Sequence, residues 1–335
     1  MINKSDKFEQ IRAMISNTPL LEIEFLYKGE KRRIFAKAEY YNLSGSIKDR
    51  VAFYIMKRAY ETGAIKPRDT ISEATSGNTG IAFSAIAAYL GHPMVVFMPD
   101  WMSVERINLM ISFGAEVRLV SKEEGGFLGS IKMSEELGKR DDVFLPGQFS
   151  NYDNVQAHID DTGAEILRQL SSLGITPDGV VAGVGTGGTI MGLSKSFKSL
   201  NPNCKAYPLG PLNSPTLSTG YKTGNHKIAG ISDEFVPEIC KLQELDDVVS
   251  VDDIDSIIMS QMLSRKLGIG VGISSGANFL GCLIAQEKLG KDANIVTVFA
   301  DDNKKYLSTD YAKEFDVKET YLSKDIELIG YKSIR

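Results

Sequence analysis

Thr75-Ser76-Gly77-Asn78-Thr79-Gly80 runs straight into Ile81-Ala82-Phe83-Ser84-Ala85-Ile86-Ala87-Ala88. A turn rich in glycine and hydroxyls opens an apolar helix, and such a helix start presents free N–H groups to an anion. Read alone, the hexapeptide is a turn and N-cap, because Ser, Thr and Asn are favoured there. Three further segments change that reading. Ser44-Gly45-Ser46-Ile47-Lys48-Asp49-Arg50 offers an amine at the start of a second apolar helix (Val51, Ala52, Ile55, Met56). Gly183-Val184-Gly185-Thr186-Gly187-Gly188-Thr189 has close-spaced backbone N–H groups and two threonine hydroxyls, suited to a phosphate. Gly272-Ile273-Ser274-Ser275-Gly276-Ala277 sets two serines where a ring nitrogen can be met.

An amine for a Schiff base, a carboxylate seat, a phosphate cup and a ring partner together describe pyridoxal 5'-phosphate. Lysine suits the first role because its pKa falls readily on burial. The G-x-G-x-x-G spelled by 183–188 also occurs in dinucleotide folds. There it follows the first strand of the unit, with an acidic residue about 20 positions on. Here it lies past mid-chain, and Asn203-Cys204-Lys205-Ala206-Tyr207-Pro208 carries no acid. A monophosphate cup is the better reading, and a nicotinamide-dependent dehydrogenase the disfavoured one.

The 335 residues allow two units around separate cores. Short β-rich runs at 33–38, 94–97, 117–120, 180–182, 205–209 and 295–299 alternate with helical patterns at 51–62, 154–172, 190–199, 252–267 and 278–289. Such alternation predicts right-handed βαβ units and open parallel sheets, one before and one after about residue 150. The polar stretch 315–335 reads as a tail packed on the surface or on a second subunit. A net charge of −5 argues against nucleic acid or an anionic membrane as partner. No run approaches the roughly 18 apolar residues of a membrane span, and the N-terminus lacks an apolar signal core. The cytoplasm is the expected compartment. Cys204, Cys240 and Cys282 are odd in number and far apart, so neither a disulfide framework nor a metal site is expected.

In this order the four segments resemble the cysteine synthase (O-acetylserine sulfhydrylase) and cystathionine β-synthase family. Asn42-Leu43-Ser44-Gly45-Ser46-Ile47-Lys48-Asp49-Arg50 stands where the family commonly has N-P-x-x-S-x-K-x-R, and 75–80 is identical to its substrate-carboxylate loop. Asn17-Thr18-Pro19-Leu20, Ser103-Val104-Glu105-Arg106, Asn154 with His158, Thr162-Gly163-Ala164-Glu165-Ile166 and His226-Lys227-Ile228 also match in order, so the likeness covers about residues 15–310. The resemblance implies an α/β fold of two open twisted parallel-sheet domains flanked by helices, the fold-type II arrangement also found in the tryptophan synthase β-subunit. It implies a smaller mobile domain at 45–150, a larger phosphate-binding domain from 1–44 and 151–335, and a homodimer. Lys48 would hold the cofactor, Asn78 its 3'-oxygen, Gly185, Thr186, Gly187, Gly188 and Thr189 its phosphate, and Ser274 its ring nitrogen. Thr75, Ser76, Gly77, Thr79 and Gln148 would hold the substrate's α-carboxylate. A neutral serine at the ring nitrogen makes a weaker electron sink than a carboxylate would, which favours loss of a β-substituent over transamination.

The informative departure is Gly230-Ile231-Ser232-Asp233-Glu234-Phe235-Val236-Pro237, where cysteine synthases typically read Gly-Ile-Gly-Ala-Gly-Phe-Ile-Pro. The two acids can be solvated or cap a helix over 235–242. The alternative follows from charge. A carboxylate about 4 Å from incoming HS⁻ opposes it by up to roughly 4 kcal/mol at an effective dielectric near 20. Even halved, that is more than a tenfold handicap. Water has the opposite need, because a carboxylate can accept its proton. The expected reaction is therefore β-replacement on L-cysteine through an α-aminoacrylate, releasing hydrogen sulfide and adding water to give L-serine, with Asp233 beside the leaving sulfur and then the attacking water. The competing readings are cysteine synthesis from an O-activated L-serine (O-acetylserine) and sulfide, a serine or threonine dehydratase, and a non-catalytic cofactor-binding relative. Two other departures, Asp301–Ser308 as a run and Leu209-Gly210, have no mechanism at this level.

Overall fold

The computed structural model describes residues 4–231 and 234–335. Its strands in chain order are β1 (Leu20–Tyr27), β2 (Glu30–Ala38), β3 (Thr70–Ala74), β4 (Met94–Pro99), β5 (Glu116–Val120), β6 (Val143–Phe144), β7 (Gly179–Gly183), β8 (Lys205–Pro211), β9 (Val249–Val251), β10 (Ile295–Phe299) and β11 (Ile326–Ile334). They form a seven-stranded sheet, β11-β1-β2-β10-β7-β8-β9, and a four-stranded sheet, β5-β4-β3-β6. The smaller sheet is parallel throughout. The larger is parallel from β2 to β9. Helices cover both sheets, and the central strands β4, β7 and β10 are apolar runs because a parallel sheet is buried on both faces. The two-sheet α/β architecture expected from alternation is present.

Three features were not legible locally. The β1–β2 hairpin is antiparallel, and β11 joins it by pairing antiparallel with β1. The last part of the polar tail, 326–334, is thus an edge strand of the larger sheet with its outward residues exposed, and not only a segment packed on the surface. The helical pattern at 154–172 is broken: Asp153–Ala157 and Ala164–Ser171 flank a wider i→i+5 turn over His158–Gly163. No helix spans 235–242; Phe235 instead makes an antiparallel bridge to Tyr221, ahead of Pro237.

Hydrophobic side chains form separate clusters. One joins Val51, Met56, Ile81, Ile86 and Val96 under the smaller sheet. Two others pack on opposite faces of the larger sheet, around Phe25, Phe279 and Leu283 and around Val155, Ile190 and Phe197. The open ends of the parallel strands, where loops feed helix N-termini, face one cleft between the sheets. Ligands in open α/β sheets bind at such strand ends. Among the described residues no helix is long and apolar enough to cross a membrane.

Candidate active site

Lys48 is the first residue of the helix Lys48–Thr62 and sits half-buried on the cleft wall. The loop before it is pinned by the next two residues. Asp49, buried, accepts from Ser44 N at 2.9 Å, Ser44 Oγ at 2.7 Å and Ser46 N at 3.3 Å. Arg50, also buried, pairs with Glu39 at 2.6 Å and with Asp161 and Glu165 at 3.0 Å each. Burial works against the Arg50 cation, but the three carboxylates outweigh it and hold its pKa well above the ordinary value. The amine is thereby placed by a rigid base.

Across the cleft, β3 ends at Ala74 and the helix Asn78–Leu90 begins after Gly77. Gly77 has φ of 153°, and a Cβ there would collide with the Arg106 side chain, so only glycine brings this turn against Arg106. Thr75 Oγ1 accepts from Gly77 N at 2.9 Å. Thr79 Oγ1 donates to Gln148 Oε1 at 2.6 Å, and Gln148 Nε2 donates to Ala74 O at 2.7 Å. Behind them lies Glu73, which sequence reasoning missed. It accepts from Ala74 N at 3.0 Å and from Gln148 N at 3.3 Å. Burial pushes its carboxyl up to about 8, against the pull of the N–H groups of Gln148, Ala74 and Gly147.

The glycine loop connects β7 to the helix Gly188–Leu200. Gly187 has φ of 87°, and a Cβ there would lie 2.5 Å from Cys240 Cβ. A Cβ at Gly185 would strike the Gly230 carbonyl and one at Gly188 the Asn154 amide. Asn154 Nδ2 donates to Thr186 Oγ1 and to Gln148 O at 2.9 Å each, joining this loop to the carboxylate seat. Thr189 Oγ1 lies 3.2 Å from His158 Nε2, and His158 Nδ1 lies 2.9 Å from Thr162 Oγ1. Burial first, then Lys48 and Arg50, hold His158 well below its usual pKa, so it is a neutral support. The wide turn 158–163 is what brings that imidazole to Thr189.

Ser274 is buried in the first turn of Ile273–Leu289. It lines one pocket with Lys48, Asn78, Gly185, Thr186, Gly187 and Thr189. Lys48, Thr75, Ser76, Asn78, Thr79, Gln148, Gly185 and Thr186 line an adjoining one. Every sequence-predicted site residue but one is therefore in or directly beneath this cleft. The exception, Asp233, lies outside the described residues. Its neighbours Gly230, Ile231 and Glu234 border the outer cleft of about 490 Å³ with Ser76, Arg106 and Phe127. Glu234 is paired with Lys222 at 2.8 Å.

A profile of pyridoxal-phosphate dependent enzymes matches residues 11–301. The chain is 38% identical over 298 residues to a probable cysteine synthase of Bacillus subtilis, covering 89% of this chain and 95% of that one. The crystal structure of a hydrogen sulfide-producing enzyme from Fusobacterium nucleatum is 58% identical, covers 99% of both chains and superposes with a TM-score of 0.96. A mutant of a hydrogen sulfide-producing enzyme, with aspartate replaced by asparagine and complexed with an α-aminoacrylate intermediate, is 60% identical with a TM-score of 0.95, covering 96% and 97% of the two chains.

The residues present fit pyridoxal phosphate. Gly185, Gly187, Thr186 and Thr189 line the inner pocket, and the glycine loop lies so close against Gly230, Cys240 and Asn154 that no side chain fits at 185, 187 or 188. Asn78 Oδ1 on the pocket wall and Asn154 Oδ1 behind Gly188 are buried without a hydrogen-bond partner among the described residues, and orphaned buried polar atoms are rare unless a ligand completes them.

Proposed function

This chain belongs to the cysteine synthase family of pyridoxal-phosphate-dependent enzymes, and from that premise we propose that it consumes L-cysteine and water to yield hydrogen sulfide and L-serine. Bound pyridoxal phosphate supplies the electron sink that lets a proton leave the α-carbon and the substituent leave the β-carbon. Gly185, Thr186, Gly187, Gly188 and Thr189 hold its phosphate, Asn78 its ring oxygen, and Ser274 offers a neutral hydroxyl to its ring nitrogen. Thr75, Ser76, Gly77 and Thr79 seat the amino acid's carboxylate, with Gln148 as the second contact. Lys48 Nζ takes the α-proton. The segment 45–150 closes on 1–44 and 151–335 when the carboxylate seat fills, which excludes bulk water.

The observation that carries this reading is the acidic step at 233–234 in a loop whose flanks border the cleft. Glu234 is committed to Lys222, which leaves Asp233 as the carboxylate for the reaction. Asp233 repels incoming HS⁻ and accepts the proton of water as its oxygen adds to the β-carbon. The relative whose aspartate-to-asparagine variant holds an α-aminoacrylate supports an aspartate acting at that stage.

The test is the holoenzyme with L-cysteine alone. Equal amounts of sulfide and serine are expected; pyruvate in place of serine would mean elimination, and cysteine formed from O-acetylserine and sulfide at a higher rate would make synthesis the better reading. Asp233→Asn should bind cofactor and release sulfide once, while serine formation falls about 10²–10⁴-fold. A variant that makes serine like the wild type removes Asp233 from the reaction.

A further inference from the structure

The run at 301–308 begins with a carboxylate that touches all three segments around the cofactor ring. Asp301 follows β10 and is fully buried. Its backbone bridges to Ser46 in the lysine loop, and Gly272 N, at the serine helix, donates to its carbonyl at 3.0 Å. Its side chain reaches the third segment: Asn78 Nδ2 donates to Asp301 Oδ2 at 2.8 Å, across 223 positions of sequence. Tyr306 Oη donates to the same oxygen at 2.6 Å. Burial first, then Asp301, hold the Tyr306 phenol well above its ordinary pKa, so it remains a donor. The Arg106 guanidinium stacks 4.6 Å from the Tyr306 ring centre and also walls the cleft beside Gly77.

A carboxylate only accepts, whereas a primary amide presents N–H at one end and oxygen at the other. Asp301 therefore dictates which end of Asn78 turns toward it. Asn78 Oδ1 and the second N–H are left for the pocket, where Oδ1 is buried with no partner among the described residues. Resting on the assignment of Asn78 to the cofactor's ring oxygen, we propose that Asp301 is a positioning residue: it locks the Asn78 amide, and so fixes the hydrogen bond offered to that oxygen. The ring oxygen's protonation sets how the bound cofactor divides between its visible and near-ultraviolet absorbing forms. Asp301 governs that division without touching the cofactor.

The experiment uses purified holoenzyme without substrate. Asp301→Asn keeps the shape but can donate as well as accept, so the Asn78 amide is no longer held in one sense. The ratio of the two cofactor bands should change, and pyridoxal phosphate should bind about tenfold more weakly on loss of the charged hydrogen bond. An unchanged ratio and affinity in a folded variant would overturn the proposal. In an Asn78→Ala background the same substitution should add nothing to either readout, and a full additional effect would equally overturn it. Should Asp301→Asn fail to fold, Tyr306→Phe decides, since it leaves the carboxylate with one donor fewer. A smaller change in band ratio supports the proposal, and none refutes it. Because no cysteine is present, these outcomes are separate from the success or failure of the serine-forming reaction.

Discussion

Two buried polar clusters flank the lysine loop, and they differ in one respect. Around Arg50 every charge is met: Glu39, Asp161 and Glu165 surround the guanidinium, Lys37 Nζ pairs with Glu165 at 2.7 Å, and Arg12 pairs with Asp161 at 2.7 Å. Around Asp301 the network is left open. Asn78 Oδ1, Arg106 Nε and Asp301 Oδ1 are buried without partners among the described residues. Buried polar groups cost free energy unless paired. A saturated cluster is therefore scaffold, and an open one marks where a ligand is to complete the bonding. Lys48 stands between the two, anchored by the first and facing the second.

The largest expected effect tests the scaffold. Arg50→Met leaves the fully buried Glu39 without its ion-pair partner, while Glu165 keeps Lys37 and Asp161 keeps Arg12, and breaking a buried ion pair in this way costs about 3–5 kcal/mol. Urea unfolding should show that loss, whereas Asp301→Asn should lose less than a third as much; equal losses would erase the distinction between the clusters. A smaller effect belongs to the phosphate cradle. Gly187→Ala puts a side chain on a left-handed residue and against Cys240, costing about 1–2 kcal/mol in the backbone alone. Cofactor affinity measured by fluorescence titration should fall by more than the stability loss accounts for. Equal affinity would move the phosphate elsewhere.

The last effect is spread along the pH axis, as a slope from Glu73. Its folded pKa of about 8 lies above the ordinary 4.5, so the folded state keeps a proton that the unfolded state has released. Stability therefore falls as pH rises between those values and levels above them, by at most about 1.4 kcal/mol per pH unit. The other charged groups lining the cavity beside it are Glu135 and Glu238, both acidic, which leaves the direction unchanged. Glu73→Gln, which cannot ionise, should flatten the melting temperature between about pH 5 and pH 8. Parallel curves for variant and wild type would show that Glu73 does not titrate there.

The sequence by itself determined whatever depends on neighbours along the chain. Glycine and hydroxyl turns before apolar runs announced the helix starts near 48, 78 and 188, whereas the last helix begins at Ile273, inside the serine segment and five residues ahead of the helical pattern at 278–289. Alternating β-rich and helical patterns announced the parallel sheets, and the same short motifs named the cofactor. Those signals are legible because turn geometry and helix amphipathicity are set within a few residues. The resemblance gathered the motif residues around one cofactor; the tertiary structure alone decided which other distant groups meet them. Nothing local in 315–335 says that β11 closes the edge beside β1, because an edge strand half exposed to water carries little apolar pattern. Nothing near Glu73 points to the backbone of residue 148, or near Asn78 to residue 301, since a hydrogen bond between distant segments leaves no periodicity in either. The motifs say which chemistry the chain carries; the folded path of the backbone decides which carboxylates stand behind it.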